Sequence, residues 1–305
     1  MKRVLMVAVI SIFLSSGCRK ESAPVAATTQ PNDPAAFVAG AESWTTTSAI
    51  TNRKYQVSIA LPPSYAIGDQ VYPVLYATDA NSQFGTLVET ARLLSMAKET
   101  PEIIVGGIGW PVGHFINTIA PRALDLTPTA DPSWVETATR DFPKNGFPPP
   151  EGSGGVAGFL RFIREELIPS VERKYRTTPS DRAYYGFSFG GLFGAYALLN
   201  NEGTFRRFVV GSPTLWWNNR VMFEQEKTYA ETHKSLPARV FFSIGIDEDN
   251  EFPHSVSDLR EFARVLTERR YEGLTVGTHF FEGERHNSVL GATISRGLRF
   301  IYAKE

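Results

Sequence analysis

The stretch Gly186-Phe187-Ser188-Phe189-Gly190 lies between a short apolar run closing on Ala183-Tyr184-Tyr185 and a longer apolar segment over residues 192–199. The pattern predicts a strand, a sharp turn and a helix in that order. A serine on such a turn needs small flanking residues, so that strand and helix can crowd together and leave the hydroxyl exposed. Ser188 is therefore the candidate nucleophile. The five-residue pattern is weak alone, because a glycine-rich turn can simply join two elements; its flanks and a histidine further along the chain carry the reading.

A turn of this kind belongs to an α/β sheet, and the chain is long enough to build one. At 305 residues, 42% hydrophobic and 21% charged, it can bury the core of one catalytic domain. With 31 basic and 32 acidic residues the net charge is −1, so no overall field favours nucleic acid or an anionic surface. The expected partner is a small-molecule or polymer substrate.

The first residues read as an export signal over 1–17. Lys2 and Arg3 precede an uncharged apolar run over residues 4–14, then Ser15-Ser16-Gly17-Cys18, a stretch too short to span a bilayer. Cys18 is the only cysteine, and its place after small residues resembles a bacterial lipoprotein cleavage site, which makes it the lipidation candidate. Ser15 departs from that pattern, where leucine is usual, and the alternative is an ordinary secretory signal. Either reading places the mature protein outside the cytoplasm, in the periplasm or as an outer-membrane lipoprotein. Residues 18–40 are rich in Ala, Pro, Thr and Ser and read as a flexible linker, leaving 41–305 as the catalytic domain.

From Trp44 onward strands and helices alternate. Residues 55–61 alternate and stop at Pro62-Pro63, as a strand entering a turn does. Residues 72–77 and 103–108 suit buried strands, with helical spacing over 87–96 between them. Phe159, Leu160, Ile163, Leu167, Val171 and Tyr175 share one helical face, with Pro169 expected to kink or end that helix. Runs over 207–210, 240–244 and 274–281 add three strands. The sum is a mostly parallel sheet with helices on both faces. Two connections break the rhythm, a proline-rich one over 110–155 and a second over 212–237 that opens with Ser212-Pro213-Thr214-Leu215-Trp216-Trp217. Both leave the carboxyl ends of strands, where open α/β sheets bind ligands, and read as walls of the substrate cleft.

A serine hydroxyl needs a base. Of five histidines, His279 lies inside the last strand and reads as structural, His114 and His254 fall in loops as solvated groups or substrate contacts, and His233 sits in a polar helical segment. His286 stands in the polar turn after the last strand, where an α/β-hydrolase returns its base to the nucleophile, and Ser188 first with His286 last matches that chain order. The acid that would orient it belongs to the loop after residues 240–244, where Asp247, Glu248, Asp249 and Glu251 crowd together. A solvated acidic turn or a cation site is the plainer alternative, but the spacing is too irregular for a calcium loop.

Tyr72-Pro73-Val74-Leu75-Tyr76, Asp79, Arg122 with Asp125-Leu126-Thr127-Pro128, the Ser188 turn with Gly191, Ser212-Pro213 with Leu215-Trp216-Trp217, and residues 283–288 together resemble the Putative esterase family over about residues 44–303. That family holds esterase D, feruloyl and acetyl xylan esterases and siderophore trilactone esterases, the last being the nearest branch. The resemblance implies an α/β-hydrolase fold with a long insertion over the active site, and a serine carboxylic-ester hydrolase working through an acyl-enzyme without metal or organic cofactor. It supports Ser188 and His286, and selects Glu248, three residues after Gly245, as the acid with Asp247 second; some relatives resemble a Ser-His dyad. It implies an oxyanion hole of the backbone N–H of Phe189 with that of Asn81, although Ala80 stands where relatives usually carry glycine. Arg122, Trp216, Trp217 and His114 are substrate-binding candidates; the plainer alternatives are a structural pair with Asp125 for Arg122, which is preferred, and packing against the following helix for one of the two tryptophans. The alternatives are an acyltransferase using the same acyl-enzyme, a plant-polymer esterase, and a binding lipoprotein that has lost catalysis.

Overall fold

The computed structural model describes residues 38–304; the export signal, Cys18 and all of the linker before residue 38 lie outside them. In chain order the strands are β1 (Ala41–Thr47), β2 (Lys54–Ala60), β3 (Tyr72–Ala77), β4 (Ile104–Gly109), β5 (Thr177–Phe187), β6 (Arg207–Gly211), β7 (Ser235–Gly245) and β8 (Glu272–Phe281). The helices are α1 (Ala80–Met96), α2 (Ile119–Leu126), α3 (Pro132–Asp141), α4 (Val156–Arg161), α5 (Ile168–Lys174), α6 (Phe189–Leu199), α7 (Trp217–Thr232), α8 (Ser255–Arg269) and α9 (Leu290–Ile301).

All eight strands join one sheet in the order β1-β2-β4-β3-β5-β6-β7-β8, antiparallel at β1-β2 and β2-β4 and parallel from β4 through β8. Alternation within each central strand divides the apolar side chains between two cores. Val74, Tyr76, Tyr184, Phe208, Val210, Val240 and Phe242 meet residues of α4, α5, α6 and α8. Leu75, Ala77, Ala183, Tyr185, Val209 and Phe241 meet α1 and α9 on the other face. Runs buried on both sides are what a parallel sheet covered by two helical layers demands. Because β3 passes through α1 to β4 on one side while β5 lies on the other, the strand order reverses at the carboxyl ends of β3 and β5, the usual ligand position in open α/β sheets.

The helix expected to break at Pro169 continues instead. Between α4 and α5 the chain makes a π-helical stretch, Phe162–Leu167, and Pro169 falls in the first turn of α5. The wider π turn removes the demand for the N–H that proline lacks. Pro237 lies within β7, where the pairing with β8 shifts register between Ser235 and Ala238, the kind of irregularity that admits proline to a strand.

The first long connection is helical where its prolines read as an irregular run, and the second contains the polar helical segment expected before His233. The first carries α2 and α3 and folds back on itself through Gly155 N to Leu124 O at 2.7 Å and Glu151 N to Ala120 O at 2.9 Å. The second holds α7, whose start is irregular: Asn218, Asn219 and Arg220 all have left-handed φ values. Residues 38–41 enter beside Ala60 and Val105, at the amino ends of the parallel strands, where Arg92 donates to Ala39 O. The chain also leaves there, with Arg239 of β7, paired with the first residue of β6, donating to Ala303 O at 3.0 Å.

Candidate active site

Ser188 occupies the one-residue step between β5 and α6, with φ 61° and ψ −119°, a backbone conformation that costs a non-glycine residue of order 1–3 kcal/mol. The flanking glycines are a steric requirement. A Cβ on Gly186 would strike the Gly190 carbonyl and the Tyr184 hydroxyl, and one on Gly190 would come within 2.5 Å of Thr78 Oγ1. The Tyr184 hydroxyl locks the turn, donating to Gly190 O at 2.8 Å and meeting Thr78 Oγ1 at 2.9 Å. Phe187 and Phe189 are buried while Ser188 between them stays partly open to solvent.

Gly245 closes β7, and a 3₁₀ turn, Ile246–Asn250, turns Glu248 back under the sheet end. His286 Nδ1 donates to Glu248 Oε2 at 2.7 Å; the other oxygen accepts from Gly245 N at 2.9 Å and Ser212 Oγ at 2.6 Å. The carboxylate is 1% exposed, and a buried carboxylate is tolerable only with donors of this kind around it. The other three acids lie elsewhere. Asp247 is half-buried, Asp249 accepts Val256 N at 2.9 Å in the first turn of α8, and Glu251 lies 3.9 Å from Arg285. The His286 ring packs between Phe187, the residue before Ser188, and Phe252, both at centroid distances of 5.0 Å.

On the other side of Ser188 the chain leaves β3 through Asp79, whose φ is 56°, into α1. The left-handed residue is Asp79, and Ala80 is simply the first residue of the helix, so the departure from glycine at that position does not disturb the turn. Phe189 opens α6 and Asn81 is the second residue of α1, positions whose N–H groups lack acceptors within their own helices. Asn81 is held by its side chain, which accepts from Trp110 N and donates to Trp110 O, both at 2.9 Å.

Arg122 does not pair with Asp125. Its guanidinium makes a bidentate pair with Asp79, at 2.8 and 3.0 Å, and lies 5.2 Å from the Phe189 ring centroid. It thus ties together the two turns that carry Asn81 and Phe189. Asp125 is occupied by others: Trp110 Nε1 donates to it at 2.8 Å, the Tyr55 hydroxyl at 3.4 Å, and Arg53 lies 3.3 Å away. Burial pushes the Asp125 carboxyl up to about 6 against the pull of Arg53.

Trp217 is 0% exposed and packs edge-on against Phe189 and Trp134, so it is a core residue and offers substrate no surface, contrary to the expectation from sequence. Trp216 stays partly exposed and stacks on Phe252. His114 is exposed at the start of a 3₁₀ turn, where it accepts Ile116 N and its ring lies tilted 4.8 Å from that of Phe115; its contacts are with its own turn. Sequence reading missed Trp134, on α3 and 5.7 Å from Phe189, and Phe252. A chain of aromatic contacts runs from His286 through Phe252, Trp216, Trp217 and Phe189 to Trp134, and its partly exposed members Phe252, Trp216 and Trp134 form an aromatic wall backed by the buried Trp217 and Phe189. Sequence reading also missed Asp79 as a partner for Arg122, although Asp79 lies two residues past a predicted strand.

The sheet order, the strained serine between β5 and α6, and the acid–histidine pair after β7 and β8 are those of an α/β-hydrolase, and the proteins it resembles make it a carboxylic ester hydrolase. The family model of the Putative esterase family matches residues 48–301, and the chain belongs to that family. Among curated relatives it is 31% identical to the ferri-bacillibactin esterase BesA of Bacillus subtilis over 86% of this chain and 90% of the relative. It is 28% identical to the siderophore enterobactin esterase of Emericella nidulans, over 81% and 89%. Of solved structures, the BES protein of Bacillus cereus superposes with a TM-score of 0.75 at 27% identity, covering 90% of this chain and 100% of that one.

Proposed function

We propose that this chain is an exported serine esterase that opens siderophore trilactone esters through an acyl-enzyme on Ser188. The observation that carries the reading is the 2.7 Å bond from His286 to buried Glu248, formed beside the turn that strains Ser188. With Nδ1 committed as donor, Nε2 is left as the base, and the carboxylate stabilises the imidazolium that forms when the serine proton is taken. Ser188 Oγ then attacks the ester carbonyl, and the developing oxyanion is met by the backbone N–H groups of Phe189 and Asn81. His286 returns the proton to the departing alcohol, and water repeats the steps on the acyl-enzyme.

The two relatives named for siderophore esters support the substrate class, and the aromatic wall suits a ligand with flat aryl arms. The export signal and a lipid on Cys18 belong to the same proposal; loss of palmitate labelling in Cys18→Ser is the outcome that supports the lipid. For the chemistry, a fluorophosphonate probe should label the protein and fail to label Ser188→Ala. A hydrolysis panel of trilactone siderophore, feruloyl sugar and acetylated xylan should favour the first. Ester hydrolysis retained by Ser188→Ala overturns the nucleophile, and preference for either polysaccharide ester overturns the substrate.

A further inference from the structure

We infer that Ser212 is a positioning residue for catalysis, the fourth member of a relay running from Ser188 through His286 and Glu248. This rests on the reading of Glu248 as the acid that orients His286. Ser212 is 2% exposed and Glu248 1%, so their 2.6 Å bond is formed away from water, where a charge-assisted hydrogen bond has its greatest effect.

The backbone of Ser212 is the second observation. Its φ is 39°, in the left-handed region where a non-glycine residue is strained, and it directly precedes Pro213, which favours an extended residue before it. Glycine would adopt that φ more readily, but it has no hydroxyl to give Glu248. Two contacts hold Ser212 in place. Its N–H donates to Ser243 O at 2.7 Å, on β7 and two residues before Gly245, and the preceding Gly211 carbonyl accepts Ser188 N at 3.0 Å. Ser212 therefore stands between the nucleophile's strand and the acid's strand, bonded toward both.

A physical need exists for it. Glutamate carries one more methylene than aspartate and so one more torsion to fix. The Gly245 N–H and the Ser212 hydroxyl both bond Oε1, leaving Oε2 to face His286. Without the hydroxyl, Oε1 keeps one donor and the carboxylate can rotate, so His286 loses its defined orientation.

The test is a double-mutant cycle on the full-length protein with a p-nitrophenyl ester, using Ser212→Ala, Ser212→Gly, Glu248→Ala and the doubles. Both Ser212 variants should lower kcat by about tenfold with KM nearly unchanged, although Gly relieves the φ strain and Ala does not, and neither should add to the loss in Glu248→Ala. The low-field Nδ1 proton resonance of His286 should shift or broaden in both. A Ser212→Gly variant with full activity, or losses that add to those of Glu248→Ala, overturns the role of Ser212 and leaves the acid assignment standing. A Glu248→Ala variant with unchanged kcat overturns both.

Discussion

At the residue scale, the geometry separates groups that sequence spacing leaves equivalent. Four carboxylates share the loop after β7, but only Glu248 meets His286, because the 3₁₀ turn directs it inward while Asp249 is used at the start of α8. The sequence shows which loop must supply the acid; it does not show which side chain a one-turn helix buries. Arg122 is the sharper case. Its bidentate hold on Asp79 fixes a left-handed turn beside Asn81, so Arg122→Lys, which keeps charge and loses the fork, should lower kcat by about tenfold with KM changed less than twofold. Steady-state kinetics decides it: a large KM rise at constant kcat would instead make Arg122 a substrate contact. Gly190→Ala should destabilise the fold by about 1–3 kcal/mol and abolish turnover, because its Cβ collides with Thr78 Oγ1; thermal melts and ester assays report the two effects separately.

At the element scale, most strands of the sheet were legible, since buried parallel strands write themselves as unbroken apolar runs. The expected and observed limits of β3 coincide at Tyr72–Ala77. β1 was not legible as a strand, because it is an edge strand of threonines, serine and glutamate with no buried side chain. Helices α2 and α3 were hidden by the prolines between residues 110 and 155. Pro132 sits in the first turn of α3, where its missing N–H costs nothing, so it starts a helix where the sequence suggests a break. The placement of α3 has a functional consequence: Trp134 stands over Phe189 as part of the wall. Trp134→Ala should raise KM for a bulky siderophore ester several-fold while leaving p-nitrophenyl acetate hydrolysis within about twofold. An equal loss on both esters would show that α3 supports the elbow rather than the substrate.

At the scale of the whole molecule, the cluster around Asp125 fastens the helical insertion to the sheet, joining α2 to Trp110 after β4, Tyr55 on β2 and Arg53 before it. With its folded pKa raised to about 6, Asp125 contributes stability that is fully present below the ordinary aspartate range and is lost as pH rises through about 6, amounting to at most about 3 kcal/mol. Urea titrations at pH 4.5, 6 and 7.5 should show the wild type gaining on Asp125→Asn as pH falls. A constant difference between the two proteins would show that the carboxyl does not titrate in that window. Residues 38 and 304 both lie at the amino ends of the parallel strands, whereas Ser188, Glu248 and His286 lie at the carboxyl ends. A pull exerted through residue 38 or residue 304 therefore acts at the amino-end pole of the sheet, and a large ester still approaches the opposite pole from free solution.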